Sequence, residues 1–521
     1  MTKRNRNKPP KIETLFLPEI YRGNNGNVTN EELIKYALSE EERTNLLTCE
    51  NILLKGAQKE KYAGCAANLM RFYTRQRWHR EARKFFYSQP KNKNNVSVRL
   101  NLGINLYSHG KIDEAIENFN YCRSKHPANA EVLCHLARCY GAKGDTNRAS
   151  KLFEAATKLN PTNIVGLREM SVLCKPRELS KYRKLLSTVL KQPGLHENQQ
   201  VECLFGLAKT FMRTNDTESE INLLGKANKL AKKNYKGPDY QTERILHRQT
   251  VEDLCEKAIH KPIPKSLEKD VVLIACLPRA GASLLERKIS EEFGLCQTGE
   301  NDLFNSSTIE FVRQGHSLNN STIDVDGTQH LQFDYTELLA SPNMEAFIDC
   351  YNFILNDIAE GRSGVINKSL ANAWQAPILM KLAKNVKTLN LRRDPRDLAI
   401  SALQAHFDTG HGYIYSAADL ESQIQHHEAM VSSWLGQFPD RVLSLSYEDF
   451  VSDTEQWLNK IGSFLNIEPK NTVEKNSVTV TSSIWQVQSE IHQASIAKWK
   501  KYEPLLEGCF GTGRTNNDLK N

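Results

Sequence analysis

No stretch of the 521 residues approaches the roughly 18 consecutive apolar residues that span a bilayer, so no membrane-spanning helix is expected. The basic start MTKRNRNKPPK has no apolar segment behind it, so it reads as neither signal peptide nor membrane anchor and predicts a disordered leader over residues 1–30. The 12 cysteines include no Cys-x-x-Cys pair and sit in apolar contexts such as VLCHLARCY. Reduced, buried thiols and a cytoplasmic setting follow. His406, His411, His426 and His427 fall close together, yet no metal-ligand spacing with carboxylates or cysteines accompanies them, so no metal site is expected. The net charge of +8 is mild for this length and suits anionic small molecules or acidic partners, while no pattern of a nucleic-acid reader occurs. What is present, 40% hydrophobic and 25% charged residues, fits a folded soluble protein, too long for one ordinary core.

The first half has a period. Pro127 and Pro161 are 34 residues apart, as are Gly110 and Gly144, Ala115 and Ala149, and Phe119 and Phe153. The segments 96–129 and 130–163 resemble tetratricopeptide repeats, whose period is about 34 residues. Small residues sit where paired helices touch, and proline ends each unit. Two repeats cannot bury their own faces, so degraded helix–turn–helix patterns at 62–90 and 200–233 are read as further units of a helical domain over 31–258. This half has no catalytic constellation; its expected role is to bind a protein or peptide partner, or a second copy of the chain. The proline-bearing HKPIPKSLEKD gives a linker at 259–270.

After the linker, strands alternate with helices. VVLIACL, SGVINK, VKTLNLRRD and RVLSLSYED read as strands, with helices such as 373–385 and 420–438 between them. That alternation predicts a parallel sheet with helices on both faces and ligands at the strands' carboxyl ends. The domain is placed at 271–510, with a tail at 511–521. In LPRAGASLLER the turn from Pro278 to Ser283 joins a strand to a helix, aiming backbone N–H groups and a helix N-terminus at an anion. The Gly-Lys-Ser/Thr ending of nucleoside-triphosphate loops is absent, which disfavours an ATPase. In RRDPRDLAIS, Arg393 ends a strand and Ser401 lies two helical turns on, a spacing at which both can hold one phosphate. The alternative is a surface ion-pair network among Arg393, Asp394, Arg396 and Asp397.

In this order and spacing the segments resemble a sulfotransferase, and the whole arrangement resembles the tetratricopeptide-repeat-containing sulfotransferase family. The catalytic half is more distantly similar to tyrosylprotein sulfotransferases. LPRAGASLL resembles the family's 5′-phosphosulfate loop and LRRDPRDLAIS its 3′-phosphate motif. TGEND, INKSLAN, YEDF and SSIWQV with SIAKW resemble the segments that complete the site. The resemblance implies an all-α repeat solenoid followed by an α/β sulfotransferase-like domain, a P-loop-like three-layer α/β/α arrangement. It also implies 3′-phosphoadenosine 5′-phosphosulfate as donor, no metal, and transfer of a sulfuryl group to an acceptor hydroxyl such as protein tyrosine. Carried over by motif, Glu300 takes the acceptor proton, and Arg279, Lys368 and Ser483 stabilise charge on the transferring group. Arg279, Ala280, Gly281, Ala282 and Ser283 cradle the 5′-phosphate. Arg393 and Ser401 hold the 3′-phosphate, and Tyr447, Gln486 and Lys498 close the site.

Three positions depart from the family pattern: Ala280 and Ala282 replace hydroxyl residues, and Gln488 replaces an arginine. Hydrogen bonds to charged groups contribute roughly 1.5–3 kcal/mol each, so two lost hydroxyls correspond to roughly 10²- to 10⁴-fold in donor affinity unless compensated. Two functions are therefore weighed: an active sulfotransferase whose repeats select the acceptor, and a repeat scaffold with a weakened or inactive sulfotransferase-like domain.

Overall fold

The computed structural model describes residues 30–42, 46–59, 64–76, 78–235, 239–256, 266–318, 320–325, 328–339, 343–359, 361–407, 411–470 and 495–510. The expected leader up to residue 29, most of the linker, the tail, and Ser483, Gln486 and Gln488 lie outside these. The chain forms two compact units, residues 1–139 and 140–521.

The first unit holds helices α1 (Asn30–Glu42), α2 (Leu46–Ala57), α3 (Gly64–Arg75), α4 (His79–Ser88), α5 (Val96–Ser108), α6 (Ile112–Lys125) and the greater part of α7 (Ala130–Ala142). The 34-residue period is visible in its parts. Gly110 turns the chain between α5 and α6 at φ +80°, a conformation that L side chains rarely adopt. At Gly103 a Cβ would lie 2.6 Å from the ring of Phe119, so glycine here lets the paired helices approach.

The second unit opens with helices α8 (Thr146–Leu159), α9 (Ile164–Leu173), α10 (Leu179–Leu190), α11 (Glu197–Met212), α12 (Thr217–Asn234) and α13 (Tyr240–Glu256). Asp145, Asn163 and Asp216 cap α8, α9 and α12 by accepting backbone N–H bonds. The α/β part follows: β1 (Asp270–Ala275), α14 (Ala282–Phe293), β2 (Cys296–Gln297), α15 (Leu303–Arg313), hairpin β3 (Asn320–Val325) and β4 (Thr328–Phe333), then α16 (Asn343–Ile358). It continues with β5 (Gly364–Asn367), α17 (Asn372–Leu382), β6 (Val386–Arg392), α18 (Pro395–Leu403), α19 (Ala417–Leu435), β7 (Val442–Ser446), α20 (Tyr447–Ser452) and α21 (Thr454–Leu465). A 3₁₀ segment, Lys498–Leu506, lies near the end.

Five strands form one parallel sheet in the order β2-β5-β1-β6-β7, so the most apolar strand is central. Alternate residues of β1 enter different cores: Val271 and Leu273 pack with α16 and α17, Val272 and Ile274 with α14 and α21. Helices thus cover both faces, as the alternating pattern requires. A third apolar cluster joins α11 and α12 to α18, α19 and the 3₁₀ segment.

Two details differ from the sequence reading. RVLSLSYED is a strand only to Ser446; the Ser446 hydroxyl then accepts from the Asp449 N–H at 3.0 Å and starts α20 at Tyr447. Strand β2 and the hairpin were not expected.

Candidate functional site

All five strands of the parallel sheet end on the same edge, and each end carries a residue of the expected site. Strand β1 runs into the turn 276–281, where the Ala280 N–H bonds the Leu277 carbonyl at 3.3 Å. Arg279 takes φ +71°, unusual for a residue with a side chain, and Gly281 takes φ +105° as it starts α14. Such a backbone at Arg279 costs of order 1–3 kcal/mol and persists only where its surroundings over-determine it. They do so from both sides: the Arg279 Nε donates to Ser401 Oγ at 3.1 Å, and the Arg279 carbonyl accepts from Arg393 at 2.8 Å. Gly281 is fixed a second way, since a Cβ there would lie 2.4 Å from the Tyr447 ring. Helix α14 starts directly from this turn, with the Leu284 and Leu285 N–H groups donating to the Gly281 carbonyl at 3.0 and 3.2 Å.

Arg393 follows directly on strand β6. Its guanidinium donates to the carbonyls of Arg279 and Ser495, the latter at 3.1 Å, and lies 4.6 Å from the Tyr447 ring centre. Its Nε is buried and has no partner among the described residues. Of the ion-pair network weighed as an alternative, one pair forms among the described residues, and it leaves out Arg393. Asp394 pairs with Arg396 at 2.7 Å while its carboxylate caps α18. Asp397 accepts the Ala497 and Trp499 N–H groups at 2.6 and 2.8 Å, binding the chain's last described segment to α18. On the far side, Glu448 accepts the Asp394 N–H at 3.0 Å. Ser401 and Arg393 both contact Arg279: its side chain donates to Ser401, and its carbonyl accepts from Arg393.

At the other end of the edge, β2 and β5 bring Glu300 and Lys368 together. Lys368, 3% exposed, donates to the Glu300 Oε1 at 3.1 Å; the Glu300 side chain is 40% exposed. The loop that presents Glu300 is bound to β5 by Asn367, which donates to Thr298 Oγ1 and to the Asn301 carbonyl, both at 2.7 Å. A third group was missed in the sequence: Glu286, 1% exposed on α14, accepts the Gly299 N–H at 2.8 Å. Burial raises its carboxyl to about 7, opposed by Lys368 and the Gly299 N–H and reinforced by Glu300. Its signal was its helical phase, which it shares with the buried Leu285, Ile289 and Phe293.

Lys498 faces the same edge and donates to the Gln404 Oε1 at 2.6 Å. Gln404 in turn donates to Glu220 of α12 at 2.9 Å, and Tyr502 also donates to Glu220 at 2.9 Å. Burial holds the Lys498 ammonium down at about 8; Glu220 counters this, and Arg279 and Arg393 add to it. The Arg279 guanidinium is likewise lowered to about 10, by burial first and then by Arg393. Arg279, Arg393 and Lys498 thus crowd one another beside the strand ends, Arg393 pressing on the charge of both others and Arg279 on that of Lys498.

Among the described residues there is no cluster of three His, Cys, Asp or Glu able to hold a metal. His406 instead stacks on Phe205 with ring centres 5.5 Å apart. No helix of the described residues is long and apolar enough to cross a membrane. All 12 cysteines are free, and all but Cys255 and Cys509 are buried.

Residues 271–471 match the sulfotransferase family, and residues 106–167 match the tetratricopeptide repeat. An uncharacterized protein of Aquifex aeolicus (strain VF5) is 22% identical over 406 residues, which are 75% of this chain and 51% of that protein. This chain thus spans about half the length of that relative. Among solved structures, the sulfotransferase domain from the Synechococcus PCC 7002 olefin synthase is 20% identical, covering 48% of this chain and 98% of its own, with a TM-score of 0.31. The sulfotransferase domain from the curacin biosynthetic pathway is 19% identical over 45% and 92% of the two chains, also at 0.31. Pseudomonas aeruginosa pilF is 19% identical over 39% and 91%, at 0.30.

Proposed function

We propose that this chain, which carries a sulfotransferase-family domain together with a tetratricopeptide repeat, moves a sulfuryl group from 3′-phosphoadenosine 5′-phosphosulfate to an acceptor hydroxyl. The observation that carries the reading is the pairing of a half-exposed Glu300 with a buried Lys368 on the edge that also presents Arg279, Ser401 and Arg393.

The residues present fit a donor with two phosphate-bearing ends. Arg393 keeps a buried Nε without a described partner, and Arg279 and Lys498 are cations held below their ordinary range by burial and by one another. Residues 279–283 with the α14 N-terminus would hold the 5′ end. Arg393, Ser401, Tyr447 and Lys498 would hold the 3′-phosphate, with Ser483 and Gln486 assigned on resemblance. The bound donor supplies an activated sulfuryl group and a phosphate leaving group. Glu300 accepts the proton of the acceptor hydroxyl, and Lys368 fixes the carboxylate in place for that transfer. Catalysis of this type is mostly orientation and charge placement, which suits a site built on five strand ends.

The repeats present the acceptor or a partner; tyrosine of a protein or peptide is the acceptor class to try first. The domain limits 31–258 and 271–510 are proposed on the sequence pattern alone, and the buried thiols support a cytoplasmic setting. The scaffold alternative rests on Ala280 and Ala282. Ala280 is 1% exposed within an apolar cluster, so its methyl faces the core and the missing hydroxyl is no measure of decay.

Calorimetry with 3′-phosphoadenosine 5′-phosphate tests the reading. Binding in the micromolar range, abolished by Arg393→Ala, is expected; no heat at millimolar nucleotide overturns it.

A further inference from the structure

Helix α11 lies beyond the matched repeat, in the segment read from the sequence as a degraded unit, and one of its faces packs beside the site. Val201, Leu204, Phe205 and Ala208 pack in the cluster that contains Ala399, Ile400 and Leu403 of α18. The Phe205 ring stacks on His406, just beyond α18. Lys209 follows Ala208 and lies one turn from Phe205, which puts it on the side that meets α18. Thr210, the next residue, turns away and accepts from Arg183 of α10 at 3.0 Å.

On α18 the facing residues are Asp397, Ser401 and Gln404, three and four residues apart. Arg279 is bonded to Ser401, and Lys498 to Gln404. These two cations, Lys498 first and Arg279 next, are the charges that press on Lys209, with Glu220 opposing them. Together with burial, the largest cause, they hold the Lys209 ammonium down at about 8. Glu220 is not its bonded partner: that carboxylate is 1% exposed and takes its hydrogen bonds from Gln404 and Tyr502. Among the described residues Lys209 forms no hydrogen bond or ion pair through its ammonium. A half-buried cation pushed against two others destabilises the ligand-free chain, and it is retained where an anion completes the set.

We propose that Lys209, on the helical segment that precedes the α/β part, is part of the donor site and binds the 3′-phosphate beside Ser401 and Lys498, an inference that rests on the donor reading above. The helical segment before the α/β part then contributes directly to the donor site.

The test compares 3′-phosphoadenosine 5′-phosphate with adenosine 5′-phosphate on the full chain, by calorimetry, in the wild type, Lys209→Met and Lys209→Arg. The expected result is a loss of roughly 10- to 100-fold for the bisphosphate in Lys209→Met, little loss in Lys209→Arg, and no change for the monophosphate. Without nucleotide, Lys209→Met should melt at the same temperature as the wild type or higher. Equal affinity of the wild type and Lys209→Met for the bisphosphate overturns this inference and leaves the donor reading standing. A lower melting temperature with equal loss for both nucleotides makes Lys209 structural and also overturns it. A wild type that binds neither nucleotide removes the donor reading and the inference together.

Discussion

The Lys368 ammonium, nearly sealed from solvent, donates to a Glu300 carboxylate that solvent reaches, across 3.1 Å. The buried member is anchored at the end of β5, so the pair fixes the position of the exposed one. Replacing Glu300 by Gln preserves the side chain's shape and its bond from Lys368 but removes the proton acceptor. Transfer should fall by roughly 10²- to 10⁴-fold, the range of a general base. Affinity for 3′-phosphoadenosine 5′-phosphate should not change. Turnover assays on an acceptor peptide and calorimetry on the same preparation check the two halves; undiminished turnover would remove Glu300 as the base.

Glu286 makes stability depend on pH in a stated direction. Its carboxyl ordinarily titrates near 4.5 and is raised to about 7 in the fold, so the folded chain holds a proton that the unfolded chain has lost. Its contribution is complete below about 4.5 and is lost as pH rises to about 7, a change of about 3 kcal/mol at most. Glu286→Gln keeps an acceptor for the Gly299 N–H and cannot titrate. The difference in unfolding free energy between the two proteins, measured in urea from pH 4.5 to 8, should therefore grow in favour of the variant. A difference that does not vary with pH would show that Glu286 is ionised throughout.

The strand-end residues were legible in the sequence because they are local. A β-branched run followed by an arginine- and glycine-bearing turn places Arg279, and VKTLNLRRD places Arg393, without knowledge of the rest of the fold. Strand β2 was not legible, because two residues cannot display an alternation and Cys296 and Gln297 are strand only through pairing with β5. The start of α20 was readable in principle, since Ser446 followed three residues later by Asp449 is a capping pattern at the N-terminus of a helix. What no local pattern holds is the wall formed by Glu220, Gln404 and Tyr502. Gln404 and Glu220 are 184 residues apart, and only the packing of α12 on α18 joins them.

Gly281 is required for two independent reasons, and a pair of variants separates them. Ala at this position forces a side chain into φ +105° and also drives a Cβ against Tyr447. Gly281→Ala should cost at least about 1–2 kcal/mol from the backbone alone, with the clash added. In a Tyr447→Ala background the clash is gone and only the backbone cost remains, so the two changes are non-additive. Urea unfolding of the four proteins measures the coupling; simple additivity would mean that the ring moves aside freely.

The two loop alanines should respond differently to replacement by the hydroxyl residues usual in the family. Ala280 lies in the cluster with Leu277, Leu285 and Ile289, so Ala280→Ser buries a hydroxyl among apolar groups. That costs roughly 1–3 kcal/mol without a partner and brings no gain in nucleotide affinity. Ala282, the first residue of α14, packs at the margin of the same cluster but is only half-buried. A threonine there keeps part of its side chain in solvent, where its hydroxyl can reach a bound anion at the helix N-terminus. If the lock between Arg279, Ser401 and Arg393 already organises the loop, Ala282→Thr changes affinity by less than about threefold, under 1 kcal/mol. A gain of roughly 10- to 100-fold would instead identify a loop that has lost a contact it needed, which is the condition of a decayed donor site. Melting and calorimetry on the two single variants therefore separate a rebuilt loop from a failing one, because Ala282 is the less buried of the two.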